Sequence, residues 1–294
     1  MTGHKHQSNG YLELILFSIF AGIVGVMVKM VKGLDVNTII FFRASIAVVF
    51  IFIVVLFMKR AKELSLQYPV QTMLVGVFQG LCFVFYFGSI MQTSVSNAIF
   101  LLYTAPIFTV IFAAIFLHEK IEKETIIGML ITLAGIIFIL DPRTFSFNST
   151  QTIGNLFGLL AGALYAAMAV TAKPLMKKVS GYYVVFWQCV ITALMFIFFV
   201  RIESTAVLIS NWGKLLIIGI VCTGIAFILF MQGLQKVAAQ KVFVITALEP
   251  LAGTIAALIV LSEMPSYMTI IGAVLIIYGV YRMTNLEKNN KRNT

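Results

Sequence analysis

Residues 104–119 read TAPIFTVIFAAIFLHE, and residues 248–263 read LEPLAGTIAALIVLSE. In both stretches a proline stands third, an apolar run of helical length follows, and a glutamate ends the run. A constant offset of 144 residues places Pro106 on Pro250 and Glu119 on Glu263. A proline and a glutamate held in one register indicate an internal repeat, because apolar matches alone would mean little in such an apolar chain.

The same offset holds over much of the chain without a gap. The run TIIG at residues 125–128 returns as TIIG at residues 269–272. Other matches are Gly128 with Gly272, Gly135 with Gly279, and Lys29 with Lys173. The chain therefore consists of two halves of related sequence.

The composition places both halves in a lipid bilayer. Of the 294 residues, 61% are hydrophobic and 11% are charged, whereas soluble domains have about 45–50% and about 25%. This excludes a disordered chain, a coiled coil and a water-soluble enzyme. A spanning helix takes about 20 apolar residues, and the chain offers ten such segments. We place them near 11–31, 36–58, 69–91, 95–117, 125–140, 153–172, 182–200, 213–232, 242–261 and 268–281.

The net charge of +10 indicates membrane topology and not a nucleic-acid partner, because the basic residues lie in short loops between apolar segments. With the N-terminus in the cytoplasm, most lysines and arginines fall on the cytoplasmic side. Those expected outside are Lys32, Arg143, Arg201 and Lys214. Both termini are therefore expected in the cytoplasm, with the chain crossing the cell (plasma or inner) membrane.

The predicted fold is an all-α integral membrane protein with ten transmembrane helices in two inverted five-helix repeats. An odd number of spans per half makes the second half enter the membrane from the opposite side. The expected organisation is a cytoplasmic tail at 1–10, a first repeat at 11–140, an external linker at 141–152, a second repeat at 153–281, and a basic cytoplasmic tail at 282–294. Inverted repeats are typical of secondary transporters, in which two halves rock about a central site.

Three stretches together resemble the EamA family of the drug/metabolite transporter superfamily: FFRASIAVV at 41–49, TAPIFTVIFAAIFLHEK at 104–120, and ALEPLAGTIAALIVLSE at 247–263. The resemblance covers residues 11–281 and implies ten helices in two repeats. It also implies a secondary transporter, since relatives are mostly exporters of amino acids and small metabolites, although some take up S-adenosylmethionine.

We therefore expect an exporter of small metabolites such as amino acids, working by alternating access. The alternative is an importer of an amine-bearing metabolite such as S-adenosylmethionine. An intramembrane enzyme is less favoured, because no HExxH, paired aspartates or Ser/His dyad is present. There is no GxxxxGK[ST] motif for ATP, and no cofactor, metal or nucleic-acid partner is expected. Proton coupling and oligomeric state are left open.

Glu249 is the main candidate for substrate binding. It stands mid-way along the ninth apolar segment, where an ionisable group costs roughly 2.5–3.5 kcal/mol on insertion scales. Pro250 removes a backbone donor and leaves the Thr246 carbonyl without a helical partner. An acid beside a free carbonyl could bind an ammonium group or a proton. The alternative is a glutamate that bonds between helices purely for packing.

Arg43, in the second segment, could hold a substrate carboxylate or brace helix ends. The neutral candidates combine a polar group with a position in a central segment, and packing is the alternative for each. They are Gln79, Tyr86, Asn97, Tyr103, Tyr165, Gln232 and Thr246. Trp187 and Gln188 are weaker candidates, because they lie outside the segments in which the resemblance places the cavity.

A second group of residues is expected to have gating or structural roles. Its members are Pro106, Pro250, Glu119 and Glu263, which repeat at matching positions of the two halves. Lys29 and Lys173 also repeat, and we expect both to extend to the membrane interface. The three cysteines, Cys82, Cys189 and Cys222, lie in apolar runs and are expected to be packing residues.

Overall fold

The computed structural model describes residues 2–93, 95–141, 143, 151–202 and 204–290, and this part of the chain is helical without any strand. The α-helices are α1 Thr2–Met30, α2 Val36–Phe57, α3 Pro69–Gln92, α4 Val95–Leu102, α5 Ala105–Phe116, α6 Lys123–Ile139, α7 Thr152–Leu175, α8 Gly181–Phe196, α9 Thr205–Gly219, α10 Ala226–Lys236, α11 Ala239–Thr246, α12 Glu249–Leu261 and α13 Tyr267–Asn290. A π-helical segment, Ile220–Ile225, joins α9 to α10 without a break. Short 3-10 turns occur at Ala61–Leu64 and Ile197–Phe199.

Nine helical stretches of the described chain are long and apolar enough to cross a membrane. The segment expected at 125–140 forms α6, which has 17 residues. At 1.5 Å per residue it is about 25 Å long, shorter than the roughly 30 Å of a bilayer's hydrocarbon core. The multi-pass helical fold is therefore established, while a count of ten spans remains a prediction.

The eighth span is longer than predicted. The sequence places it at 213–232, but the helical stretch runs over Thr205–Lys236. The helix starts early because the Ser204 hydroxyl accepts a bond from the Ala206 amide at its first turn. Asn211, which looks like a loop residue, is buried and donates from its side chain to the Lys32 carbonyl at 2.8 Å.

Helices α6 and α13 pack along each other through glycines. A Cβ atom built on Gly135 would lie 2.7 Å from the Gly272 carbonyl oxygen, and one on Gly279 would lie 2.9 Å from the Gly128 carbonyl oxygen. Only a residue without a side chain allows two backbones to approach this closely. The glycines that match between the two halves therefore lie on the facing surfaces of α6 and α13.

The three glycines at the start of α7 have a similar role. A Cβ atom on Gly154 would meet Thr93, and one on Gly158 would meet Leu101. One on Gly162 would lie 2.9 Å from the Leu101 carbonyl oxygen. These glycines therefore pack within the chain, and they bring α7 against the end of α4, where the candidate site begins.

Candidate functional site

Two apolar runs of the bundle are interrupted in the middle. One interruption separates α4 from α5, and the other separates α11 from α12. Pro106 and Pro250 lie in the first turn of the second helix in each case. A proline is favourable there, because the first-turn amides have no acceptor within the helix. Residues Ala239–Leu261 form one candidate span, as expected, but this span consists of two helices, and the second one begins at Glu249.

Glu249 is the first residue of α12 and is half-buried. The positive end of a helix dipole favours a negative charge at this position. The Tyr103 hydroxyl, in the interruption between α4 and α5, lies beside the Glu249 carboxylate and can donate to it. The two interruptions of the bundle thus meet at one acid–hydroxyl contact.

Two further tyrosines lie within electrostatic reach of Glu249, namely Tyr86 on α3 and Tyr165 on α7. The Tyr165 ring is fixed by an edge contact to Phe243, with ring centroids 4.9 Å apart, and it stacks on Phe230 at 6.2 Å. The structure therefore gathers Glu249, Tyr103, Tyr86 and Tyr165 from four separate parts of the sequence. Hydroxyls and aromatic faces around one acid suit an amine-bearing solute.

Arg43 faces the same central region from α2. Its Nε donates to the Thr223 Oγ1 at 3.0 Å, and its guanidinium lies over the Phe83 ring, 5.2 Å from the ring centroid. Among the described residues no ion pair joins Arg43 to Glu249, although each lies in the electrostatic field of the other. Opposite charges share the region without neutralising each other by direct contact.

A small cavity of about 20 Å³ lies beside Arg43. We call it the Arg43 pocket, and the lining residues that matter here are Arg43, Gln79, Phe83, Gln188, Thr192 and Thr223. The Gln188 side-chain amide donates to the Gln79 carbonyl oxygen at 3.0 Å. Gln188, a weaker candidate in the sequence, lines this cavity together with Thr192 and Thr223, which are small polar residues in apolar helices that the sequence did not single out.

The remaining candidates lie elsewhere or bond locally. Asn97 donates to Asn155 at 3.3 Å, joining α4 to α7. Thr246 bonds back to the Phe243 carbonyl of its own helix, and Gln232 packs against Gly181 at the start of α8. Trp187, a weaker candidate, donates to the Leu64 carbonyl at 3.0 Å. These contacts describe helix packing, and they do not bring the residues into the group around Glu249.

Two equivalent ion pairs connect the halves of the chain. Lys29 at the end of α1 pairs with Glu263, and Lys173 near the end of α7 pairs with Glu119 at 3.2 Å. The 144-residue offset converts one pair into the other. Each lysine therefore binds a specific carboxylate, which the expectation of an extension to the membrane interface did not include.

The two ion pairs lie at opposite ends of the bundle. Lys173 also donates to the Val237 carbonyl, and Val237 packs against Gly10 near the beginning of α1, whereas Lys29 is in the last turn of α1. The Lys173–Glu119 side chains are 14% and 16% exposed, and those of Lys29–Glu263 are 61% and 50% exposed. One end is therefore closed around its ion pair, and the other pair is accessible.

The same helix cap positions both glutamates. His118 and Ser262 adopt the left-handed conformation with φ of 55°. The Glu119 amide then bonds to the Ala113 carbonyl at 3.1 Å, and the Glu263 amide bonds to the carbonyl six residues before it at 3.3 Å. In both caps a left-handed residue thus lets the next amide satisfy a carbonyl of the last helical turns. Such a cap turns the chain sharply and directs each glutamate away from its helix.

Among the residues that the structure describes, no group of three His, Cys, Asp or Glu side chains could hold a metal ion. All three cysteines are free and buried, which agrees with their interpretation as packing residues. The polar chemistry of the bundle interior is thus that of one acid, one arginine, and neutral hydroxyl and amide groups.

The EamA-like transporter family model matches residues 8–141 and 152–285. An uncharacterised transporter of Archaeoglobus fulgidus is 29% identical over 286 residues, covering 95% of this chain and 98% of that protein. A pseudopaline exporter of Pseudomonas aeruginosa is 26% identical over 287 residues, covering 95% and 97%. A crystal structure that is 19% identical superposes with a TM-score of 0.83 and covers 96% of this chain and 98% of that one, which supports the fold.

Proposed function

Because the chain belongs to the EamA-like transporter family and is therefore a membrane transporter and not an enzyme, we propose that it exports small metabolites such as amino acids. The observation that carries this proposal is Glu249, which lies beside the Tyr103 hydroxyl where two interrupted helices meet. A half-buried acid beside aromatic rings is suited to an ammonium group. A relative named as a pseudopaline exporter supports the outward direction.

The proposed mechanism is alternating access between two inverted five-helix repeats. Interrupted helices at matching places of the two halves are typical of binding sites in such carriers. Here α4 begins at residue 95 and α11 at residue 239, while α5 begins at residue 105 and α12 at residue 249. Both intervals equal the repeat offset, so each half supplies one interrupted helix to the centre.

The Lys–Glu pairs serve as gates in this proposal. The buried Lys173–Glu119 pair would close the cytoplasmic end, and the exposed Lys29–Glu263 pair would lie at the open external end. Glu119 also accepts a bond from the Ala239 amide at the start of α11. A change in this contact would be transmitted along α11 to the interruption beside Glu249.

An export measurement tests the proposed function. Cells would express the wild-type chain, Glu249→Gln, or the matched control Glu63→Gln, in which a loop glutamate is changed. Mass spectrometry would then follow solutes in the medium and the cytosol. We expect one or more amino acids to leave the cell with the wild type and the control, and export to fall at least about tenfold with Glu249→Gln, because a charged contact to the solute is lost.

Other outcomes would contradict this proposal. Accumulation of an amine-bearing solute inside the cell would overturn the direction and favour the importer, for which S-adenosylmethionine would be the first candidate. Unchanged export by Glu249→Gln, at normal protein levels, would return this residue to a packing role. No change in either solute pool with the wild type would refute export of small metabolites.

A further inference from the structure

The guanidinium of Arg43 is oriented but not neutralised. Thr223 accepts from Nε, and Phe83 covers one face of the group. Among the described side chains, no carboxylate lies within 4.0 Å of it, since Arg43 belongs to none of the ion pairs found there. The contact to Thr223 leaves the two terminal nitrogens available, and these are the atoms with which arginine binds a carboxylate in a two-bond fork.

Thr223 is held in place by an irregular backbone. It lies in the π-helical segment, where its hydroxyl donates to the Ile218 carbonyl at 2.8 Å. Gly219, just before this segment, allows close approach of α2, since a Cβ atom there would lie 3.2 Å from the Arg43 carbonyl oxygen. Single π-helical turns within α-helices occur frequently at functional sites. Thr223 is thus a positioning residue for Arg43.

The wall of the Arg43 pocket holds polar atoms without a partner. Gln79, Gln188 and Thr192 are each 3% exposed. The Oε1 atom of Gln188 and the Oγ1 atom of Thr192 are buried and make no hydrogen bond. Leaving a buried polar atom unpaired costs about 1–3 kcal/mol. Two such atoms in the wall of one cavity, beside an arginine with available donors, indicate a site that a polar ligand completes.

We propose that the Arg43 pocket binds the carboxylate of the transported solute while Glu249 binds its ammonium group, so that the substrate class is amphoteric. Thr192 would donate to a carboxylate oxygen, and the Gln188 oxygen would accept from the amine end of the solute. This assignment rests on the proposed function and specifies its substrate class. It explains why Arg43 and Glu249 occupy one region without forming an ion pair with each other.

The test compares matched ligands on the purified, full-length chain. Each proteinogenic amino acid is offered beside its α-amide, which lacks the carboxylate, and its N-acetyl form, which lacks the ammonium group. Binding is measured as a shift of the thermal unfolding midpoint. We expect at least one amino acid to bind the wild type, and each of its two capped forms to bind at least about tenfold more weakly, because each loses a charged hydrogen-bonded contact.

Variants of residues in the Arg43 pocket test whether the carboxylate of the solute binds there. Arg43→Gln should bind the amino acid and its amide equally, while Arg201→Gln, which changes an exposed arginine, should retain the wild-type preference. Thr192→Val provides a second, milder change. The Thr192 hydroxyl has no partner within the protein, so its removal should leave the fold unaffected. The preference of the protein for the amino acid over its amide should nevertheless fall about threefold or more.

Three outcomes would overturn the assignment. They are equal binding of acid and amide by the wild type, an unchanged preference in both Arg43→Gln and Thr192→Val, and no binding of any amino acid. Transport of the same ligands into liposomes separates this failure from that of the proposed function. If an amide or another amine is carried and Glu249→Gln stops it, the transporter proposal stands and only the carboxylate site is wrong.

Discussion

At the scale of single residues, a helix start and a neighbouring tyrosine hydroxyl stabilise Glu249 and leave its charge available. The carboxylate has the beginning of α12 behind it and the Tyr103 hydroxyl beside it. A helix start contributes about 0.3–1 kcal/mol, and up to about 2 kcal/mol where it is partly buried. These contacts offset much of the cost of placing an acid inside a membrane protein. A direct ion pair with Arg43 would stabilise it too, but would occupy both charges.

Replacing Tyr103 by phenylalanine tests this arrangement. The ring remains, so the fold should be retained, while Glu249 loses its donor. A hydrogen bond to a charged group contributes about 1.5–3 kcal/mol, so we expect transport at limiting solute concentration to fall roughly tenfold or more. Tyr278→Phe on the half-exposed face of α13 is the matched control. Equal transport by the two variants would show that the Tyr103 hydroxyl does not contribute to the site.

The sequence was sufficient to select part of this site. An acid, an arginine and tyrosines stand out in apolar segments, and the structure brings Glu249, Tyr103, Tyr86, Tyr165 and Arg43 together. The Arg43 pocket was less predictable. Thr192 and Thr223 resemble many other hydroxyl residues that bond within their own helix, and their importance depends on which helix faces Arg43.

At the scale of helices, the sequence predicts most segments because their apolar runs are long. It does not predict where the interruptions fall, since residues 95–117 and 242–261 each form one long and largely apolar run, and the prolines begin new helices rather than end old ones. The register in which α6 packs against α13 was predictable, because the glycines at their contact repeat between the two halves. The π-helical segment has no comparable signal, because its geometry depends on the close packing of α2 against Gly219.

Gly135 tests the contact between α6 and α13. The added methyl of Gly135→Ala would lie 2.7 Å from the Gly272 carbonyl oxygen, so the helices must separate. We expect the free energy of unfolding to fall by about 1–3 kcal/mol, as for other overpacked contacts, measured by denaturant unfolding of the purified protein.

The matched control is Gly213→Ala in α9, where a Cβ atom would meet nothing within 4 Å. This change should raise the free energy of unfolding by up to about 1 kcal/mol, because alanine favours the helix over glycine. If Gly135→Ala were as stable as this control, the two helices would be less tightly coupled than their spacing indicates.

At the scale of the whole molecule, the two Lys–Glu pairs are equivalent in sequence but differ in burial. Losing one partner of a buried pair leaves an uncompensated charge and costs about 3–5 kcal/mol, whereas exposed pairs contribute about 0–1 kcal/mol. Glu119→Gln should therefore lower the free energy of unfolding by several kcal/mol, and the equivalent change Glu263→Gln should have little effect.

The reaction rate of an introduced cysteine gives a second measure of the difference in burial between the two Lys–Glu pairs. A cysteine at Val237, which is buried beside Lys173, should react faster with a water-soluble thiol reagent in Glu119→Gln than in the parent protein. Glu263→Gln should leave the rate unchanged. The assignment of the Lys173–Glu119 pair as the closed gate would fail if both changes accelerated the reaction equally.

The predicted orientation is tested with single cysteines in loops. The native cysteines are buried, so their background reaction should be low. Lys62→Cys should react only with reagent supplied from the cytoplasm, and Arg143→Cys only with reagent supplied from outside, because the basic residues favour cytoplasmic termini. The reverse pattern would invert the orientation, and would also exchange the cytoplasmic and external gates.

The unpaired opposite charges of Arg43 and Glu249 have an electrical consequence. One elementary charge moved through a potential of 100 mV corresponds to about 2.3 kcal/mol. A solute with one carboxylate and one ammonium group adds no net charge to the carrier, so the membrane voltage does no work on its passage. Transport of such a solute by itself is electroneutral, and the direction of flow then follows the concentration gradient of the solute, whereas an ion moved with it would make transport depend on the membrane voltage.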